Sequence, residues 1–264
     1  MKRVLGTIIL IIAIICFGWS AFSLGKYAWQ TWTTQKNLDN LADKVNNDTI
    51  SIPDTDKESG ESEDPISESE AMMEKYGELY KENKDFIGWL SVEGTKINYP
   101  VMYTPNDPEY YLRKNFDGDY DIGGMLFVDA RCTFNPTSTD TIIYGHHMNN
   151  GTMFGPLMDF QDNDYLKKHT TITFDTMYRP GTYKIFASFQ SKAYDPDSEE
   201  FKYYDFINAE TSYDFEEYLN NIKNLSLYYD EENAPSFGDE IITLSTCDYY
   251  TTDGRFAVLA KRIK

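Results

Sequence analysis

Basic residues are scarce in this chain of 264 residues: 24 Lys and Arg stand against 43 Asp and Glu, for a formal net charge of −19. Nucleic-acid binding needs a basic face to neutralise phosphates, so the balance argues against it. Acidity of this size suits the solubility of an exported domain. Cysteine is scarcer still, with Cys16, Cys132 and Cys247 only. A disulfide scaffold uses more, and a chain that is 41% hydrophobic and 16% aromatic is large enough to build a core without one. A bond between Cys132 and Cys247 stays open on counting alone. The three histidines, His146, His147 and His169, lack the HExxH spacing of a zinc site. DGDYDIGG, Asp117 to Gly124, has the alternating aspartates of a calcium loop. Its glycine is seventh rather than sixth, however, and Val128 stands where the bidentate glutamate belongs. DPDSEE, Asp195 to Glu200, lacks the glycine altogether. No metal or other cofactor is expected, and there is no internal repeat.

What is present begins with a long apolar run. Met1-Lys2-Arg3 is followed by Val4 to Gly25, which carries no charge. About 22 residues at a helical rise of ~1.5 Å span roughly 33 Å, close to the apolar thickness of a bilayer. Lys2 and Arg3 favour a cytoplasmic N-terminus, with the bulk of the chain outside. Trp19, Tyr27, Trp29 and Trp32 suit an interfacial anchor. A cleaved signal peptide is the rival reading, but no clear small-x-small site follows the run. The expected organisation is a cytoplasmic start and membrane anchor over residues 1–27, a stalk and acidic linker over 28–70, and a folded domain over 71–264. Within the linker, Asn46 to Glu70 is rich in Ser and acid and poor in apolar residues. It is expected to be a disordered spacer, because nothing in it offsets the cost of ordering the backbone.

The folded part reads as mainly β. Met72, Met73, Tyr76, Leu79 and Tyr80 recur at helical spacing, which predicts a helix over Ser69 to Asn83. Eight strand-like runs follow: Phe86 to Val92, Ile97 to Tyr103, Met125 to Ala130, Thr141 to His146, Thr171 to Thr176, Thr182 to Gln190, Glu240 to Cys247 and Phe256 to Ile263. Many short strands separated by turn signals suggest a barrel or sandwich. Thr211 to Asn224 is amphipathic and predicts a helix inserted before the last two strands.

Chemistry concentrates near the C-terminus. TLSTC, Thr243 to Cys247, ends a strand on a thiol, and a turn-prone stretch leads to a second strand opening on Arg255. Antiparallel pairing brings thiol and guanidinium to one end of a hairpin. Alternation puts Thr243, Ser245 and Cys247 on one, more polar face. A thiol attacks carbonyls only as thiolate, so it needs a base or a positive site. The adjacent His146 and His147, at a strand end after Gly145, are the base candidates, while His169 reads as a surface residue. Arg255, with a rigid fork of donors and permanent charge, is a candidate oxyanion or substrate-carbonyl donor. Cys132, in a turn without such company, reads as non-catalytic.

TLSTC, the arginine eight residues after its cysteine and the strand Val258-Leu259-Ala260-Lys261 together resemble the signature of sortases. YGHHM with the nearby GTMF (Gly151 to Phe154), FIGWL followed by INYPVM, and GMLFVDAR resemble class B sortases in particular. The resemblance covers about Ala71 to Lys264 and is specific in combination. It implies the sortase eight-stranded β-barrel, with an N-terminal helix and a helix inserted before the last two strands. It also implies a membrane-anchored cysteine transpeptidase of a Gram-positive cell surface. Such an enzyme cleaves surface proteins at a C-terminal sorting signal, holds the acyl half as a thioester and passes it to a peptidoglycan amine. On matching positions, Cys247 is the nucleophile, His146 the general acid and base, and Arg255 the residue that positions substrate and stabilises the oxyanion. His147 is the alternative base. The Asp248 N–H is a second oxyanion donor by geometry, and Ser245 and Tyr144 are groove candidates. Most aromatics around Tyr203 to Ile207 and the inserted helix are expected to pack in the core. The signal is open between NPxTN and xPxTG types. An exported peptidase that mainly hydrolyses and a non-catalytic anchored binding domain are the alternatives.

Overall fold

The computed structural model describes residues 2–47, 67–248 and 251–264. The expected spacer falls largely on 48–66, outside the described residues. The chain divides into two compact units, Met1–Asn40 and Leu41–Lys264. A single helix, α1 (Lys2–Asn47), runs through the apolar segment and the stalk without a break. Within it Leu10–Val45 is long and apolar enough to cross a membrane.

The second unit is built on a nine-stranded sheet. Its strands are β1 (Phe86–Val92), β2 (Asn98–Met102), β3 (Leu126–Val128), β4 (Asp140–Tyr144), β5 (Thr171–Thr176), β6 (Thr182–Lys192), β7 (Ser226–Tyr229), β8 (Ile241–Cys247) and β9 (Gly254–Arg262). Their spatial order is β5-β1-β2-β3-β4-β8-β9-β6-β7, and a further β5–β6 pairing closes the sheet. The closed ring therefore contains the eight strands expected from the sequence, and β7 is an addition outside it. β6 explains this arrangement. Its first residues pair with β5, Thr171 opposite Lys184 to Thr173 opposite Thr182. Farther along, Ala187 to Phe189 pair with β7 instead. SLYY is short, and only partly buried or exposed along its length, so it carries no periodic signal of a strand.

Helix α2 (Glu68–Glu82) starts where its chemistry says it should. The Ser67 hydroxyl accepts from the Glu70 N–H, and the Glu70 carboxylate accepts from the Ser67 N–H, satisfying two donors that the first turn leaves unpaired. The helix thus begins inside the segment expected to be spacer. It buries Met72, Tyr76 and Leu79, and Lys75 and the Tyr76 hydroxyl both bond the Asp175 carboxylate of β5. A one-turn helix, α3 (Asn163–Leu166), precedes β5. The inserted helix α4 (Ser212–Leu225) is capped in the same way by Thr211 and Asp214. Its buried side chains Phe215, Tyr218 and Ile222 join Phe186, Phe189 and Leu259 of the sheet in one core cluster. Each such burial contributes ~1.5–3 kcal/mol, which holds the helix to the barrel wall.

Two strand pairs are parallel, β2 with β3 and β4 with β8. The second has a functional consequence. Parallel strands end on the same side of a sheet, so the residues that follow β4 emerge beside the end of β8.

Candidate active site

Register brings the site together. In the β8–β9 hairpin Cys247 lies directly opposite Arg255. In the β4–β8 pair Tyr144 lies opposite Ser245. His146 and Cys247 are each two residues beyond that pair, at the same rim. The rim is fixed by short bonds. The Gly145 N–H donates to the Ser245 carbonyl at 3.2 Å and the Thr246 hydroxyl donates to the Gly145 carbonyl at 2.8 Å. The Phe154 N–H returns to the His146 carbonyl at 3.0 Å. Glycine before the histidine has a packing reason: a Cβ at Gly145 would stand 2.5 Å from Leu126 Cδ2 and 2.6 Å from Phe154 Cδ2.

Cys247, Arg255 and His146 line one open cleft of about 520 Å³. Ser245, Tyr144, Tyr203 and Tyr204 line it too, with Asp129 and Arg131. Every residue of β8 is buried except Cys247, which is half-buried at its end. The thiol is therefore presented by a strand that is otherwise core. Cys247 and Cys132 are both free, so the disulfide left open by counting does not form.

The two adjacent histidines have different places. His146 bonds the Leu112 carbonyl through Nε2 at 2.7 Å. A carbonyl only accepts, so Nε2 carries the proton, and in the neutral ring Nδ1 holds the lone pair. Burial holds the His146 pKa below the ordinary imidazole value; the Leu112 carbonyl opposes this and Arg113 reinforces it. His147 instead uses Nδ1 to donate to the Cys247 carbonyl at 3.1 Å, and its backbone pairs with Met153. It braces the strand that carries the thiol and is not among the described cleft residues. His169 packs on Tyr165, ring centroids 4.6 Å apart.

Ser245 and Tyr144, the expected groove residues, line the cleft, and their hydroxyls also bond protein groups. Ser245 is 1% exposed, and its hydroxyl shares a 2.6 Å hydrogen bond with the Tyr203 hydroxyl. Tyr144 donates its hydroxyl to Asp129 at 3.0 Å. Both line the cleft as supports whose polar atoms already have protein partners. The polar face of β8 is thus a buried, satisfied one: Thr243 likewise donates to Asp140 at 2.7 Å. The Asp248 N–H, expected as a second oxyanion donor, is committed elsewhere. It donates to the Gly254 carbonyl at 2.9 Å and closes the hairpin. The Asp248 carboxylate accepts from Gln190 Nε2 at 2.7 Å. Gly254 suits this closure, since a Cβ there would stand 2.2 Å from the Asp248 carbonyl oxygen. Arg255 Nη1 rests on the Gly254 carbonyl at 3.0 Å.

Sequence reasoning missed Asp129, Arg131 and Leu112 as parts of the site. The first two lie in GMLFVDAR, where the sequence offers only a family resemblance. Leu112 acts through its carbonyl in a 3₁₀ turn, Tyr110–Arg113, and side-chain chemistry gives no sign of that. Among the described residues no group of three or more His, Cys, Asp or Glu is arranged to hold a metal ion.

Residues 90–263 match the sortase domain. Sortase B of Listeria monocytogenes is 31% identical over 248 residues, 94% of this chain and 92% of that protein. The Staphylococcus aureus sortase B–substrate complex superposes with a TM-score of 0.70 at 27% identity, covering 89% of this chain and 98% of that one. A sortase B complexed with triglycine gives 0.73 at 27% identity, covering 89% and 99%. The chain belongs to the sortase family, as a class B sortase, a cysteine transpeptidase.

Proposed function

We propose that Cys247 is the nucleophile of this transpeptidase, His146 its general acid and base, and Arg255 the group that holds the scissile carbonyl. The observation that carries this reading is the convergence of the three on one cleft at the shared end of β4, β8 and β9. The Cys247 thiol gives its proton to His146, the resulting thiolate attacks the carbonyl carbon of the sorting signal, and the carbonyl oxygen takes up negative charge. Arg255 stabilises that charge with a fixed positive fork. The imidazolium form of His146 protonates the departing amine, leaving an acyl thioester on Cys247. The neutral ring then takes a proton from the incoming amine, which attacks the thioester and releases the thiol. One imidazole serves both halves in turn. Its lowered pKa makes proton release easy, and the Leu112 bond leaves Nδ1 as the exchanging nitrogen.

The acyl donor in this reading is a surface protein with a C-terminal sorting signal, and the acceptor is a cell-wall peptidoglycan amine. The triglycine complex of a related sortase B supports an amine acceptor, since that peptide carries a free amino group. We place the chain in the membrane by one pass of α1, N-terminus inside and catalytic domain outside. The support is the apolar span together with Lys2 and Arg3 before it. Residues 28–70 then serve as stalk and linker, and 71–264 as the catalytic domain.

The experiment is intact-mass analysis of the full-length protein with NPxTN-type and xPxTG-type peptides, with and without triglycine. A thioester at Cys247 that converts to an amide product when triglycine is added is expected. Binding of both peptide types without any adduct at Cys247 would remove the assignment.

A further inference from the structure

One wall of the cleft is not explained by the reacting groups. It is the 3₁₀ turn Tyr203–Asp205, in the long connection between β6 and α4. Tyr203 and Tyr204 of this turn line the cleft. Its backbone bonds are local: Asp205 N–H to the Lys202 carbonyl and Phe206 N–H to the Tyr203 carbonyl. Side chains tie the turn itself to the barrel, and just beyond it the Asp140 N–H of β4 donates to the Ile207 carbonyl at 2.9 Å. The Tyr203 hydroxyl meets Ser245 Oγ at 2.6 Å. Arg131 Nη2 donates to the Tyr204 carbonyl at 2.5 Å.

Arg131 is itself held in place. Its Nε donates to Asp129 Oδ1 at 2.9 Å and its Nη2 to Asp129 Oδ2 at 2.8 Å, a two-pronged pairing. Asp129 also accepts from the Arg131 N–H and the Tyr144 hydroxyl, and is only 9% exposed. The fork is therefore pinned at the end of β3 and aimed at the turn. The ion pair of Arg131 with Asp205, at 3.5 Å between exposed groups, adds little because water screens it. A lysine cannot reproduce this geometry, since it lacks the planar fork that satisfies a carboxylate and a carbonyl together.

We propose that Arg131 is a positioning residue that holds the Tyr203–Asp205 turn as a fixed wall of the groove receiving the sorting-signal peptide. This rests on the transpeptidase reading above. The register that sets Cys247 opposite Arg255 comes from the pairing of β8 with β9, to which Arg131 does not belong. Its loss therefore acts on peptide capture and leaves the chemical step intact.

The test uses the full-length protein carrying Arg131→Gln, Arg131→Lys, or Asp129→Asn with Arg131→Gln. The double variant avoids leaving a buried carboxylate unpaired, so it separates the tether from folding. Single-turnover thioester formation is followed against peptide concentration, and amide hydrogen exchange is followed over residues 203–207. The half-saturating peptide concentration is expected to rise about tenfold, the effect of one lost charge-assisted hydrogen bond. The limiting rate should stay within about twofold of wild type while exchange over 203–207 quickens. The proposal fails if half-saturation and exchange are unchanged in the double variant, or if the limiting rate falls at constant half-saturation. A wild-type protein that forms no thioester overturns the transpeptidase assignment instead, and the exchange data then decide the tether alone.

Discussion

Two thiols of this protein have an arginine for a neighbour, and their surroundings make them opposites. Cys132 follows Arg131 in the chain, and Cys247 faces Arg255 across a strand pair. Cys132 is fully buried, its sulfur 3.5 Å from the Asp140 carbonyl, and burial pushes its pKa up to about 12. Its arginine is occupied by Asp129 and the Tyr204 carbonyl. Cys247 ends a buried strand half-exposed on a cleft shared with an arginine and a histidine. A neighbouring positive charge does not by itself make a thiol reactive. Access and the prior commitments of that charge decide, because only a thiolate that a substrate can reach is a nucleophile.

The largest effect that tests this contrast is removal of each thiol. Cys247→Ala should lower peptide cleavage by ~10⁴-fold or more, since the covalent route is lost. Cys132→Ala should keep the rate and lose only stability, by about 1–2 kcal/mol in denaturant unfolding, for a small buried side chain. Iodoacetamide labelling followed by peptide mapping should mark Cys247 in the native protein and Cys132 only after unfolding. Equal labelling of both in the native state would break the comparison.

The histidines sharpen it next. His146→Gln is expected to reduce the limiting rate by about 10²–10⁴-fold, the usual worth of a general acid and base. His147→Gln, which removes a brace on the Cys247 carbonyl, should cost less than about tenfold. The reverse order, read by single-turnover kinetics, would make His147 the base.

Arg255→Lys tests whether the guanidinium facing the thiol acts as a fork or only as a charge. A fall of about 10²–10³-fold in the limiting rate is expected, the cost of a lost oxyanion donor. Near wild-type turnover would remove Arg255 from the mechanism.

The last effect concerns stability beside the inert thiol. Asp140 is buried between β4, β8 and α4, accepts from Thr243 and the Tyr218 hydroxyl, and faces Cys132 and Asp129. Burial raises its pKa from 3.8 to about 7, against the two hydroxyl bonds that lower it. A folded-state pKa above the unfolded one means that the carboxylic acid form is favoured on folding. Its contribution is fully present below pH 3.8 and is lost as pH rises through about 7. Asp140→Asn should remove that slope, so its stability relative to wild type should improve from pH 4 to pH 8 by on the order of 2–4 kcal/mol. Parallel unfolding curves for the two proteins across that range would refute it.

Much of this is legible from residue order because it depends on local chemistry. The turn-bounded strand-like runs name all eight strands of the closed ring, and apolar spacing names both helices, while their caps Ser67 and Thr211 emerge only in the structure. The thiol and guanidinium are placed together because antiparallel pairing across a short turn leaves few alternatives. β7 escapes because four partly exposed residues carry no periodic signal. Asp129 and Arg131 escape because their value lies in a contact 73 residues away along the chain.

Residue order alone thus settles the eight strands of the ring, the presence of the two helices, the apolar N-terminal span and the meeting of Cys247 with Arg255. Each follows from turn-bounded runs, helical spacing, a charge-free apolar stretch or one hairpin. It took the folded chain to settle which histidine lines the cleft, that the Asp248 N–H is already committed to Gly254, and that Ser245 and Tyr144 are braced supports. Those outcomes depend on the parallel pairing of β4 with β8 and on loops that return from distant parts of the chain. Non-local pairing sets which polar atoms are already satisfied, and an atom already satisfied is not free for a substrate.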